Sequence, residues 1–376
     1  MSFRTTSAMG ERAKIRYAVV GLGHIAQVAV LPAFAHARQN SELTALVSDD
    51  PAKHEKLRGK YRVQHTYSYE DYEKCLNSGA IDAVYIALPN NLHCDFTVRA
   101  AQAGIQVLCE PPMAVTEAEC EKMISAADQA QVKLMIAYRL HFEKANLEAI
   151  EIARSGKLGD PRFFSSVFAM QVKEDNIRLK RELGGGTLYD IGVYCINASR
   201  SLFYAEPSEV HAFSISSKDP RFREVDEMTG ALLRFPEERL ASFTSSFGAA
   251  DVSAYELVGT EGNLRVEPAY EYIGELKHRL TIKGKTRERT FSSRDQFAPE
   301  LIYFSNCIIN NNDPEPSGAE GLADVRVIRA LYHSAETGRP VQLEPYIKRQ
   351  RPGMEQEIAR PPVDKPELVN VQSASQ

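Results

Sequence analysis

Between residues 15 and 136, short apolar runs alternate with segments whose apolar positions recur every three to four residues. This pattern predicts strands joined by amphipathic helices. Strands are expected at Ile15–Val20, Leu43–Ser48, Ala83–Ala87, Val107–Cys109 and Lys133–Ile136, and helices at Ile25–Ala37, Pro51–Tyr61, Cys94–Ala103 and Glu117–Ala130. The strands are almost continuously apolar, as they must be when helices cover both faces of a sheet. Residues 15–137 are therefore expected to form an α/β domain with a doubly wound parallel sheet. Residues 1–14 would be a short N-terminal arm.

After residue 137 the texture changes. A helical stretch (Asn146–Ser155) precedes a strand (Arg162–Ala169), and Gly184-Gly185-Gly186 opens a helix over Leu188–Phe203. Strand-like runs follow at Glu209–Ile215, Met228–Phe235, Leu240–Phe247, Ala254–Val258, Asn263–Val266 and Arg279–Ile282, then helices at Phe297–Ile309 and Ala319–Thr337. Residues 138–345 thus read as an α+β substrate-binding domain with a large, mostly antiparallel open sheet. An open sheet has a face to cover, so a homodimer or homotetramer through it is expected. Residues 346–376, rich in proline and charge, read as an arm or a disordered tail. The basic stretch Lys277–Arg289 has Gly284 at a turn and no interleaved aromatics, so it reads as a solvated hairpin rather than a nucleic-acid patch.

Composition narrows the function classes. The net charge of −5 favours neither nucleic acid nor an anionic membrane. No apolar run approaches the roughly 18 residues of a membrane span. Residues 1–14 lack the apolar stretch of a signal peptide, so a cytoplasmic location is expected. Six cysteines are scattered without a C-x-x-C pair, which predicts reduced thiols and no metal site. Cys109 reads as a small buried apolar residue.

The chemistry begins at Tyr17–Gln27, YAVVGLGHIAQ. Gly21 allows a tight turn, Gly23 lets the backbone approach a pyrophosphate, and Ala26 fills the third small position. His24 and Ile25 open the helix whose free N–H groups would hold the phosphates. Asp49 lies 23 residues beyond Ala26 at the end of the next strand, close to the ≈ 20 expected for a ribose-binding acid. Together these predict a dinucleotide-binding Rossmann domain. Asp49 favours NAD, whereas Ser48 and Lys53 bracket the same spot and would suit the 2′-phosphate of NADP. Pro89, Asn90 and His93 follow the fourth strand, where ligands bind in such sheets; by position alone a helix cap and a surface histidine are an equal alternative.

The run Gln106–Val115, QVLCEPPMAV, resembles the E-K-P motif of the glucose–fructose oxidoreductase / inositol dehydrogenase (Gfo/Idh/MocA) family. LGGGTLYDIGVYC resembles that family's second motif, with Asp190, Gly192 and Tyr194 in a D-x-G-x-Y pattern. The resemblance spans roughly residues 14–345 and is strongest to the glucose–fructose oxidoreductase branch. It implies hydride transfer between NADP, tightly held, and an aldose or related polyol, with NAD as the alternative cofactor. It places Glu110, Pro89, Asn90 and His93 at the cofactor and makes Tyr194 the proton-transfer group, with Asp190 orienting substrate. It turns Arg139 and His141, in IAYRLHFEKAN, toward sugar hydroxyls or the cofactor. Lys180 and Arg181 are the nearby cations, Arg181 as a substrate-binding candidate. The family's lysine is replaced by Pro111, which can neither give nor take a proton. The alternative is therefore an impaired nucleotide- or sugar-binding protein, or a lysine-substituted variant.

Overall fold

The structure is a computed structural model that describes residues 14–348, 350–371 and 373–374. The expected N-terminal arm lies outside the described residues except for Lys14. Six strands, β1 (Ile15–Val20), β2 (Ser41–Val47), β3 (His65–Tyr67), β4 (Ala83–Ile86), β5 (Gln106–Cys109) and β6 (Leu134–Ile136), form the first sheet. Its order is β3-β2-β1-β4-β5-β6 and every pairing is parallel. Strand order reverses between β1 and β4, which opens a crevice at their carboxyl ends.

The helices around this sheet are α1 (Leu31–Ala33), α2 (Pro51–Tyr61), α3 (Tyr72–Leu76), α4 (His93–Gln102) and α5 (Glu117–Ala130). The single helix expected at Ile25–Ala37 is instead a π turn, Ala26–Val30, running into α1. Asp50 caps α2 by accepting from the Ala52 and Lys53 N–H groups, and Thr116 and Glu119 form a reciprocal capping box on α5. Each such cap contributes about 1 kcal/mol. The three-residue β3 escaped the sequence pattern because its residues, His-Thr-Tyr, are all half-buried and give no apolar run.

The second domain starts with α6 (Lys144–Arg154), β7 (Pro161–Ala169) and α7 (Val193–Phe203). Then come β8 (Glu209–Ile215), β9 (Met228–Phe235), β10 (Arg239–Ser246), β11 (Val252–Gly259), β12 (Gly262–Val266), β13 (Leu276–Ile282) and β14 (Lys285–Phe291). Helices α8 (Ala298–Asn310) and α9 (Gly318–Thr337) and the short β15 (Val341–Gln342) follow. The nine strands run β14-β13-β12-β11-β7-β10-β9-β8-β15, antiparallel throughout except for β7 beside β10. Strand β14, KTRERTF, was invisible to an apolar pattern because all but Phe291 are exposed. It completes the hairpin with β13, and its charges blunt an otherwise open edge.

Helix α8 packs back on the first domain: the Tyr17 hydroxyl pairs with Ser305, and Leu301, Ile302 and Phe304 join the core on that side of β1. The residues after β15 form an arm with fixed contacts. Arg351 bonds Glu206, Gln356 donates to the Glu315 carbonyl, and Arg360 donates to the His36 carbonyl.

Candidate active site

The crevice at the β1–β4 switch has two ends. At the first, the chain turns at Gly21, whose φ is +91°. A Cβ there would lie 2.5 Å from the Ala87 carbonyl oxygen, so neither conformation nor space admits a side chain. At Gly23 a Cβ would meet nothing within 4 Å. The loop is thus bare on its outer side, beside a helix start whose first N–H groups have no intrahelical partner, and a pyrophosphate fits there. His24 and Ile25 are half-buried beside it. Burial, and then the charges of Arg178, Lys365 and Lys173, hold the His24 pKa below its ordinary value.

At the end of β2, Ser48 is buried and Asp49 is exposed. Asp49 accepts the Tyr69 N–H at 2.7 Å through one oxygen. Lys53 sits one turn along, its Nζ 4.0 Å from Asp50 and so only loosely engaged. These groups offer a ribose an acid and a phosphate a hydroxyl and an ammonium, and the residues present fit a dinucleotide.

Beyond β4, Pro89 leads into a 3₁₀ turn over Asn90–Leu92. Asn90 donates to the Gly184 carbonyl at 2.8 Å, tying the first domain to the glycine run of the second. Gly184, φ +78°, has no room for a Cβ: it would lie 2.7 and 2.8 Å from Val115 and Asn90. His93 departs from the expected cofactor contact. It has no exposed surface, and its ring nitrogens each lie 2.9 Å from a carbonyl, of Pro112 and Leu88. It opens α4 facing inward and holds together the two loops that border the crevice.

The other end is built from buried charge. Glu110 follows β5 and accepts the Tyr85 hydroxyl at 2.7 Å. Beside it, Glu300 of α8 is fully buried with neither carboxylate oxygen hydrogen-bonded. Burial pushes the Glu110 pKa up to about 7, against the Tyr85 hydrogen bond and the Arg139 charge. Burial, then the Glu110 charge, pushes the Glu300 pKa well above the ordinary carboxylate range. Pro111, half-buried, precedes Pro112 across a cis bond and leaves no titratable group at the lysine position.

Arg139, only 4% exposed, donates to Gln296 and to the Tyr270 carbonyl. Its guanidinium lies 5.0 Å from the centre of the Tyr194 ring and 5.5 Å from that of Tyr272. Burial raises the Tyr194 pKa; Arg139 opposes the rise without cancelling it. The helix expected over Leu188–Phe203 begins as a π turn, Leu188–Gly192, which carries Asp190. Asp190 accepts from Arg178 Nε at 2.7 Å.

Three expectations need correction. His141 is engaged by protein groups rather than left free for a ligand: it is 2% exposed, 2.8 Å from the Asn197 side-chain oxygen and 3.5 Å from Glu315. Arg139 and His141 share one 3₁₀ turn, where successive side chains step by a third of a revolution, so the two point apart. Arg181 donates to the Glu224 carbonyl, and Lys180 pairs with the Glu224 carboxylate. The cation at Asp190 is Arg178, which no sequence signal separated from its basic neighbours. Tyr85 and Glu300 were also missed, because a strand tyrosine reads as core and a glutamate in a first helical turn reads as a dipole partner.

Known proteins share this architecture. The model for the "Oxidoreductase family, NAD-binding Rossmann fold" matches residues 15–138, and that for the "GFO/IDH/MocA C-terminal domain" matches residues 146–265. The chain is 35% identical over 338 residues to a D-xylose 1-dehydrogenase [NADP(+)] of Haloarcula marismortui, covering 88% of this chain and 93% of that protein. It is 30% identical to D-xylose 1-dehydrogenase (NADP(+)) 2 of Haloferax volcanii, covering 87% and 99%. Among solved structures, an aldose-aldose oxidoreductase from Caulobacter crescentus complexed with glycerol superposes with a TM-score of 0.84 at 38% identity, over 88% of this chain and all of the other.

Proposed function

The chain belongs to the GFO/IDH/MocA oxidoreductase family, and we propose that it moves hydride between NADP and C1 of an aldose. The observation that carries this reading is Tyr194 held under the Arg139 guanidinium, at the far end of a crevice that opens on a bare glycine loop. Two relatives named as NADP-dependent D-xylose 1-dehydrogenases, and a structural relative named for aldoses at both ends of its reaction, supply the substrate class. They give no support to the alternative of a disabled binding protein.

Gly21, Gly23 and the helix start would hold the pyrophosphate, Ser48 and Lys53 the 2′-phosphate, and Asp49 the ribose. When bound, NADP accepts the hydride. Tyr194 transfers the proton of the reacting hydroxyl. Its raised pKa keeps it a phenol at neutral pH, ready to donate to a carbonyl in reduction. In oxidation it must first lose that proton, so alkaline pH favours oxidation. Arg178 fixes Asp190 as an acceptor for a sugar hydroxyl. With proline at position 111, the nearby positive charge comes from Arg139 and Arg178.

The open sheet supports a homodimer. Phe163, Leu232, Leu240, Phe213, Ile215 and Val252 project from one face of β7–β11 and are 40–68% exposed, a patch typical of association surfaces. Six buried, unpaired cysteines support a cytoplasmic location, and no helix among the described residues is long and apolar enough to cross a membrane.

The test is the reduced-nicotinamide absorbance of the protein with NADP or NAD and a series of aldoses beginning with D-xylose. Growth of the band with NADP and an aldose is expected. Binding of either nucleotide with no sugar-dependent change would overturn the reading.

A further inference from the structure

The arm after β15 returns to the first domain and meets the glycine loop. Gln27, 1% exposed, is the hinge of that contact. Its Nε2 donates both to the Leu22 carbonyl inside the loop and to the Val369 carbonyl, each at 2.9 Å. Its Oε1 accepts the Val369 N–H at 2.8 Å. One side-chain amide therefore joins the phosphate-side loop to a peptide more than 340 residues away. Val369 is buried, and Leu368 packs on the same apolar cluster, which contains Leu22 and Leu31.

The neighbouring contacts fix the direction of the arm. The Glu367 carbonyl accepts from Lys60 at the far end of α2, and Asn370 donates at 3.0 Å to Asp50, the cap at its near end. The chain thus travels along α2 toward the ribose-side acid and Lys53. Further on, the Ala374 carbonyl accepts the Lys173 N–H of the second domain at 2.9 Å. The charges of Lys365 and Lys173 are among those that hold down the pKa of His24, on the loop itself. Pro361, Pro362 and Pro366 have no N–H and favour a stiff extended chain, so the arm is held by the few anchors just named.

We propose that residues Lys365–Asn370 form a third wall of the dinucleotide site, with Lys365 adding positive charge to it. This rests on the NADP reading above. A nucleotide entering the crevice would be enclosed by the glycine loop, the end of β2 and the chain's own C-terminal arm, and would leave only after the arm lifts. The geometry deepens the site in one specific way: cofactor release, rather than cofactor fit, depends on contacts far along the sequence from the glycine motif.

The experiment measures NADPH binding without sugar, by nicotinamide fluorescence, as an equilibrium constant and a dissociation rate. It compares the full chain, a chain ending at Arg360, and the variants Lys365→Ala and Asn370→Ala. The truncation is expected to weaken binding at least tenfold, mostly through faster dissociation. Lys365→Ala is expected to weaken it several-fold at an unchanged melting temperature, with the deficit shrinking as salt rises. Should the truncated chain not fold, the two point variants decide. Binding and dissociation within twofold of the full chain in every folded variant would make the arm a packing clasp and overturn the proposal. A full chain that binds neither NADPH nor NADH would instead remove the cofactor reading on which it rests.

Discussion

At the glycine loop the crevice is made of backbone: a turn without room for a side chain at Gly21 and open space at Gly23. At Tyr194 it is made of buried charge: Arg139 between Gln296 and Tyr270, Arg178 on Asp190, and the Glu110–Glu300 pair. The first end depends on shape, which one added methyl group destroys. The second depends on electrostatics among groups from β5, the turn after β6, α8 and the segment before α7. This difference shows how the glycine-loop end can keep a recognisable sequence while the Tyr194 end loses the family lysine. A charge from another segment can take up a lysine's electrostatic part, because Coulomb interactions do not require adjacency in sequence. Nothing from another segment can relieve the clash that a Cβ would make at Gly21.

Single substitutions can test this division. Tyr194→Phe removes the transferable proton, and kcat/KM with an aldose should fall on the order of 10²–10⁴-fold, with NADPH affinity within about twofold of the parent by titration. Equal losses in both would mean that the two ends are not separable. Gly21→Val should do the reverse, weakening NADPH binding by tenfold or more, since the left-handed conformation alone costs about 1–2 kcal/mol before any overlap with Ala87. Arg139→Lys keeps the charge but loses the planar fork that reaches Gln296 and the Tyr270 carbonyl; kcat should fall roughly tenfold with little change in nucleotide affinity. Retention of full activity would reduce Arg139 to a point charge.

The smallest expected effect is thermal. Glu110 has a folded pKa of about 7 against an ordinary 4.5, so the folded chain binds this proton more tightly than the unfolded one. Its stabilising contribution is complete below about pH 4.5 and is lost as pH rises through about 7. The parent's melting temperature should therefore decline between about pH 5 and pH 8 by a few degrees more than that of Glu110→Gln. Parallel curves for the two proteins would show that Glu110 does not titrate in this range.

Legibility followed the same division. The Gly21–Gly23–Ala26 spacing, Asp49 at the end of β2 and the parallel sheet were readable because each depends on a few adjacent residues and a period. The hairpin at Lys277–Arg289 was legible from its turn, although β14 itself was not. His93, His141 and Arg181 were placed at the crevice by position in a motif, but each spends its polar atoms on buried partners or on Glu224. Arg178 was passed over because Lys180 and Arg181 stand beside it in the same basic run. The arm was legible only as a proline-rich segment, and its docking on Gln27 had no sequence signal at all.

Taken alone, the sequence determined the doubly wound first domain, the largely antiparallel second domain, the tight glycine turn between β1 and its helix and the absence of a titratable side chain at position 111. These follow from local sterics and from periodic burial, which act over a few residues. Tertiary structure decided which cations serve Asp190 and Tyr194, that Glu110 and Glu300 share a buried site, and where residues 365–370 lie. Those outcomes depend on the distances and shared desolvation of groups far apart in the chain, and a linear order of residues carries neither.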